Sequence, residues 1–217
     1  MTTAKRKVDC SLYLVTDRGL SLGRSNLEII RAAVAGGVTM VQLREKEAAT
    51  RKFYEEGLKI REFLGEHNIP LIVNDRLDIA LALDADGVHM GQDDMPVAVA
   101  RRILGDDKII GASVFNASEA REAEAAGADY LGLSPLFVTS TKPELAAQIG
   151  IDGIAPIRQA VRIPLVGIGS MNAGNAFEAV RAGLDGVAVV SAICSHRDPE
   201  AAARAIKTEV VRAKALR

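Results

Sequence analysis

The chain has 217 residues, 48% of them hydrophobic, and its 27 Lys plus Arg stand against 28 Asp plus Glu for a formal net charge of −1. That length and apolar content suffice for one sizeable core, while the balanced charge supplies no global field to draw in nucleic acid or an anionic membrane, so any anion site has to be local. No apolar run approaches the ~18–20 residues of a membrane span, and the polar start MTTAKRKVD lacks a signal peptide's apolar stretch, which reads as a cytoplasmic protein.

Short apolar runs alternate with amphipathic ones along the chain. SLYLVTD (11–17) precedes a helix near 25–35, VTMVQLR (38–44) a helix near 50–66, and PLIVND (70–75) a short helix near 76–83. DGVHM (86–90) leads to a helix over 95–104, KIIGAS (108–113) to 117–126, and DYLGLS (129–134) to one near 151–161. PLVGIG (164–169) is followed by 172–181, and GVAVVS (186–191) by a closing helix near 199–214. Small-residue steps such as AGADYLG and AGLDGVAVV carry helix into strand. Eight such units predict a parallel sheet with right-handed crossovers, closed as a single α/β domain, a (β/α)8 TIM barrel over 1–217, with residues 1–9 a flexible extension. An open doubly wound sheet is the alternative, and no G-x-G-x-x-G follows the first strand to support its dinucleotide-binding form.

In such a barrel the chemistry sits at the C-terminal ends of the strands, and here those ends are polar. On MVQLREK the two-residue period puts Gln42, Arg44 and Lys46 on one face and Val41, Leu43 and Glu45 on the other. If the apolar set faces the helices, two cations point into the mouth and need an anionic partner, either a ligand or an internal Asp or Glu. Asp75 closes the third strand and Asp94 follows the fourth; they read as a carboxylate pair for Mg2+ shared with substrate phosphates, or as caps of the following helices. Ser113 ends the fifth strand, where a helix cap is the simpler reading. GIGSM and VVSAI place small residues ahead of expected helices and offer backbone N–H groups to a phosphate. The mouth therefore divides into a diphosphate-and-metal side on strands two to four and a monophosphate side on strands seven and eight. Residues 137–150, FVTSTKPELAAQIG, have no period and read as a lid, a binding loop or a disordered linker. Cys10 and Cys194 read as buried free thiols, and the three histidines form no ligand pair at helical spacing.

Six segments in order, VTDR, GGVTMVQLREK, VNDR, ADGVHMGQDD, GADYLGLSPLFVTSTK and LDGVAVVSAI, closely resemble the thiamine phosphate synthase (thiamine-phosphate pyrophosphorylase) family. The resemblance implies a transferase of thiamine biosynthesis that condenses hydroxymethylpyrimidine diphosphate with thiazole phosphate, or its carboxylated form, through a pyrimidine methylene cation. It implies that Gln42, Arg44, Lys46, Asn74, Ser113 and Lys142 hold the pyrimidine diphosphate, with Arg44, Lys46 and Lys142 catalytic. Asp75 and Asp94 match the Mg2+ ligands. Thr139, Ser140, Thr141, Ser170, Val190 and Ser191 match the thiazole phosphate side, and the 134–150 loop looks like a lid. Two positions depart from the family: Ser134 and Ser170 stand where it usually has glycine. The partners implied are small phosphorylated molecules, with no nucleic acid or membrane, and self-association is left open. A thiazole tautomerase of the same superfamily and a non-catalytic thiamine-precursor binding protein are the competing readings.

Overall fold

The computed structural model describes residues 8–137 and 148–217. Eight parallel strands close into a barrel in sequence order: β1 (Leu12–Val15), β2 (Met40–Leu43), β3 (Leu71–Asn74), β4 (Gly87–Met90), β5 (Ile109–Val114), β6 (Tyr130–Leu133), β7 (Leu165–Gly167) and β8 (Gly186–Val189). Around it run α1 (Asn26–Ala35), α2 (Thr50–Glu66), α3 (Leu77–Leu83), α4 (Val97–Leu104), α5 (Ala117–Ala125), α6 (Ile154–Ala160), α7 (Ala176–Arg181), α8 (Ser191–Cys194) and α9 (Pro199–Ala215). The (β/α)8 barrel is thus the fold, with β8 paired in register to β1. A short 3-10 turn at Arg18–Leu20 and the four-residue α8 are additions that the sequence pattern did not announce.

Three of the helices begin where side chains satisfy their first amides. Ser25 and Glu28 form a reciprocal capping box on α1, Asn116 accepts from the Ser118 and Glu119 amides of α5, and Asp198 caps α9 ahead of Pro199. Alternation along the strands then sorts side chains into two layers. Leu12, Leu14, Val41, Leu43, Leu71 and Val73 face outward into a continuous layer with the helices. Tyr13, Val15, Met40, Ile72, Ile109, Tyr130 and Val166 fill the barrel interior.

One device repeats at the lower, N-terminal end. Asp86, just before β4, accepts the Leu71 amide of β3 at 2.9 Å. Asp129, just before β6, accepts the Ile110 amide of β5 at 2.8 Å, and Asp185, just before β8, accepts the Leu165 amide of β7 at 2.8 Å. Thr39 Oγ1 takes the same place before β2, accepting from Leu12 of β1 at 3.1 Å. Each odd strand's first free N–H is therefore tied to the strand that follows it, which explains why a small residue and an aspartate recur at the helix-to-strand steps. Asp9, next to β1, accepts from the amide and hydroxyl of Ser11; residues 1–7 of the expected extension lie outside the described residues. Cys10 and Cys194 are buried and free, as expected.

Candidate active site

The upper, C-terminal ends of the strands enclose a cavity of about 620 Å³. Every described candidate lines it: Gln42, Arg44 and Lys46 from β2 and beyond, Asn74 at the end of β3 and Asp75 just after it, Asp94 after β4, Ser113 on β5, Ser170 after β7, and Val190 and Ser191 after β8. Thr139, Ser140, Thr141 and Lys142, and with them most of the expected lid, lie outside the described residues. The two ends of that loop are fastened to each other, Ile149 N donating to Pro135 O at 3.0 Å and Gly150 N to Leu136 O at 2.9 Å, and Leu136 N donates to Ile168 O, just after β7, at 2.7 Å.

The period-two reading of MVQLREK holds. Val41 and Leu43 belong to the outer layer, and Glu45 turns away from the mouth to meet Arg18 and Asn26. Both cations have carboxylate partners: Arg44 Nη1 lies 2.9 Å from Asp17 Oδ2, and Lys46 Nζ 2.8 Å from Asp75 Oδ2. The Lys46 side chain is nonetheless 55% exposed, so it is within reach of a ligand as well as of Asp75.

Asp75 and Asp94 do not cap helices. Asp75 holds a left-handed backbone, φ 59°, two residues before α3, and Asp94 Oδ2 accepts the Gly91 amide at 2.7 Å within its own loop. The two carboxyls contact each other and diverge in acidity. Burial alone would raise Asp75, but the hydrogen bond and charge of Lys46, with contacts from Asp94 and Asn74, outweigh it and hold that carboxyl below its ordinary value. Burial raises Asp94; the Gly91 amide opposes this, and the neighbouring Asp75 carboxylate pushes it up further, so the net direction is upward. Like charges forced together at a cavity wall are relieved by a shared proton or by a cation. Among the described residues no group of three His, Cys, Asp or Glu could hold a metal, so a divalent ion bound here would take the rest of its oxygen shell from water and a ligand's phosphates, as Mg2+ commonly does.

Ser113 corrects its simpler reading: it is a residue of β5 and Asn116 caps the helix. Its hydroxyl meets His89 Nε2 at 2.9 Å. Ser170 does not head a helix either. It sits at φ 51° in a turn whose carbonyl accepts from Asn172 and Asn175, and α7 begins only at Ala176. The β8 end does pass directly into a helix, the single turn of α8 that starts at Ser191.

The floor and rim of the cavity add residues that sequence reasoning passed over. Tyr13, Tyr130 and His89 form the polar floor, Asp17 pairs with Arg44, and Val15, Val166, Ile168 and Ala188 make an apolar wall. The signal for the first three was present: on LYLV, GVHM and YLGL the alternation that sends Leu12, Leu14, Val88, Met90, Leu131 and Leu133 outward sends Tyr13, His89 and Tyr130 inward.

The family model described as thiamine monophosphate synthase matches residues 12–193. The chain is 56% identical to a thiamine-phosphate synthase of Chloroflexus aurantiacus over 211 residues, 96% of this chain and 97% of that one. It is 51% identical to a thiamine-phosphate synthase of Haloarcula marismortui, across 94% of this chain and 98% of that one. A solved thiamine phosphate pyrophosphorylase from Pyrococcus furiosus superposes with a TM-score of 0.87 at 42% identity, covering 95% of this chain and 98% of the other. A solved 3-hexulose-6-phosphate synthase, at 16% identity and a TM-score of 0.70, shares the fold alone. Having the barrel, the polar strand ends gathered on one cavity, and this similarity over nearly all its length, the chain belongs to the thiamine monophosphate synthase family.

Proposed function

We propose that the protein is a transferase that joins 4-amino-2-methyl-5-hydroxymethylpyrimidine diphosphate to thiazole phosphate, giving thiamine phosphate and diphosphate. The observation that carries the reading is the single cavity that unites Gln42, Arg44, Lys46, Asn74, Asp75, Asp94 and Ser113 on one side with Ser170, Val190 and Ser191 on the other. Its volume of about 620 Å³ lies within the ~300–1,000 Å³ usual for small-molecule sites.

The chemistry asks little of acid–base groups. The bond between the pyrimidine methylene and the diphosphate oxygen breaks, and its electron pair leaves with diphosphate. The thiazole nitrogen's lone pair then closes the new carbon–nitrogen bond, with no proton moved. Arg44 and Lys46, with Lys142 from the loop, stabilise charge that grows on the departing diphosphate, an interaction stronger in the transition state than before it. Asp75 and Asp94 would hold Mg2+, which when bound neutralises diphosphate charge and orients it. Asn74 and Ser113 orient the diphosphate and Gln42 the pyrimidine. Val15, Val166, Ile168 and Ala188 keep water from the methylene cation. Thr139, Ser140 and Thr141, with Ser170 and Ser191, hold the thiazole phosphate so that its nitrogen faces the methylene.

Incubating the purified protein with both substrates and Mg2+ should yield thiamine phosphate and diphosphate in equal amounts. Isomerisation of thiazole phosphate carboxylate without coupled product would instead assign a tautomerase, and thermal stabilisation by substrates without turnover a binding protein.

A further inference from the structure

Five side chains cross the barrel interior in an unbroken file. Gln42 Nε2 donates to the Tyr13 hydroxyl at 2.7 Å, the two tyrosine hydroxyls lie 2.8 Å apart, the Tyr130 hydroxyl lies 3.0 Å from His89 Nδ1, and His89 Nε2 lies 2.9 Å from Ser113 Oγ. We propose that Gln42, Tyr13, Tyr130 and His89 form a one-directional hydrogen-bond chain that holds the Ser113 hydroxyl as a proton donor facing the mouth. The proposal rests on the reading of Ser113 as a diphosphate-binding residue, and it makes His89 and the two tyrosines positioning residues.

The direction follows from counting protons. The Gln42 amide group can only donate through Nε2, so the Tyr13 oxygen is an acceptor there and its one O–H proton turns to Tyr130. Tyr130, having accepted, sends its own proton on to His89 Nδ1. An imidazole that accepts at Nδ1 carries its hydrogen on Nε2, and that hydrogen goes to Ser113 Oγ. The Ser113 proton is then left to point into the cavity, where an anionic oxygen would receive it. Burial raises the pKa of both phenols above the ordinary value and so makes them weaker acids, and neither loses the proton that the count requires.

Packing keeps the file in line. The tyrosine rings meet edge to face, centroids 5.7 Å apart at 81°, and His89 lies 5.6 Å from Tyr130. A methyl group at Gly132 would come within 3.2 Å of the His89 ring, so the ring lies close against β6 in space that only glycine leaves open. Serine rotates freely about its C–O bond, and without the His89 donor its hydroxyl could as well donate back toward the ring.

Two measurements test this. On ligand-free protein labelled with 15N-histidine, the shifts of the two ring nitrogens of His89, assigned by their disappearance in His89→Gln, should report hydrogen on Nε2 and a bare, hydrogen-bonded Nδ1. Hydrogen on Nδ1 would mean that the chain runs the other way, and the proposal falls. The second is a double-mutant cycle. Tyr130→Phe should lower kcat/KM for the pyrimidine diphosphate about tenfold or more, the order of one hydrogen bond to a charged group. In a Ser113→Ala background it should change it less than about twofold, because the hydroxyl it orients is gone. An equal loss in both backgrounds would reduce the tyrosine to packing and overturn the inference; Tyr13→Phe repeats the cycle one link further away. If the protein couples no substrates at all, the synthase reading fails while the nitrogen shifts still decide the direction of the chain.

Discussion

Gly111→Ala offers a sharp test of how the barrel interior and the site depend on each other. A methyl group built at Gly111 lies 2.1 Å from Tyr130 Cζ, 2.3 Å from its hydroxyl and 2.5 Å from Cε1, whereas unstrained carbon contacts are about 3.5–4.0 Å. The ring would have to retreat by more than an ångström. Tyr13 blocks one path, and the move stretches the hydrogen bonds to Tyr13 at 2.8 Å and His89 at 3.0 Å beyond use. Overpacking costs about 1–3 kcal/mol, and each of the two buried bonds about 1 kcal/mol, so a loss of about 3–5 kcal/mol is expected. Gly65→Ala is the matched control. It lies on the exposed side of α2 with nothing within 4 Å of the new methyl, and should gain up to about 1 kcal/mol from the lower entropy of the unfolded chain. Urea denaturation reads both as shifts in midpoint at constant slope. A Gly111→Ala protein within about 0.5 kcal/mol of wild type, with unchanged turnover, would refute the argument that Tyr130 is held immovably against β5.

Asp75→Asn should lower coupling activity and recover part of it at raised Mg2+; full wild-type activity in excess chelator would remove the carboxylate pair from any metal role. Lys142→Ala should reduce kcat as well as kcat/KM, because the charge it meets grows as the bond breaks, and an effect on KM alone would make it a ground-state contact. Ser170→Gly should stabilise the fold by about 1 kcal/mol by relieving a left-handed residue, and shift KM for thiazole phosphate by about tenfold or less while leaving that for the pyrimidine diphosphate unchanged; a Gly variant that gains coupling activity absent from the wild type would mark the serine as disabling. Burial pushes the Cys10 thiol to about 12 and the Cys194 thiol to about 11 from 9.0. The unfolded thiols ionise first, so this contribution is intact below pH 9.0 and is lost as pH rises through about 11 to 12. Thiol reagents at pH 8 should accordingly find both cysteines unreactive until the protein unfolds, and rapid labelling of the folded protein would contradict their burial.

The barrel was legible because its strands are short, apolar and set off by glycine and aspartate, and because α2 ends where its pattern ends, at Glu66. The helix expected over 172–181 is shorter because asparagine side chains capture the backbone first. Asn172 Oδ1 takes the Gly174 amide and Asn175 Oδ1 the Asn172 amide, which delays α7 to Ala176. Polar strand ends announced the mouth, since burying Arg44 or Lys46 without an anion is expensive. Their present partners, Asp17 and Asp75, were not legible, as the pairing depends on how neighbouring strands are staggered. The tyrosine–histidine floor was missed for a different reason. Tyrosine within an apolar run looks like core, and only the closed ring brings β1, β4 and β6 close enough for their hydroxyl and imidazole groups to meet.

The four clamps at the lower end divide the ring into quarters. Thr39, Asp86, Asp129 and Asp185 join β1 to β2, β3 to β4, β5 to β6 and β7 to β8. Each quarter is a continuous piece of chain with its own side-chain tie to a strand amide, whereas the seams between quarters are held by the strand ladder, helix packing and side-chain bonds such as Lys46–Asp75, Lys108–Asp84 and His89–Ser113. A circular permutant opened between Asp106 and Asp107, two exposed residues on the β4–β5 seam, leaves every quarter whole. One opened between Asp84 and Ala85 instead separates the two strands of a quarter and strands Asp86 beside a loose terminus, far in sequence from the amide it ties. The first permutant should refold to nearly the native midpoint and the second well below it, so the order of the chain around the ring is negotiable at the seams and fixed within each quarter.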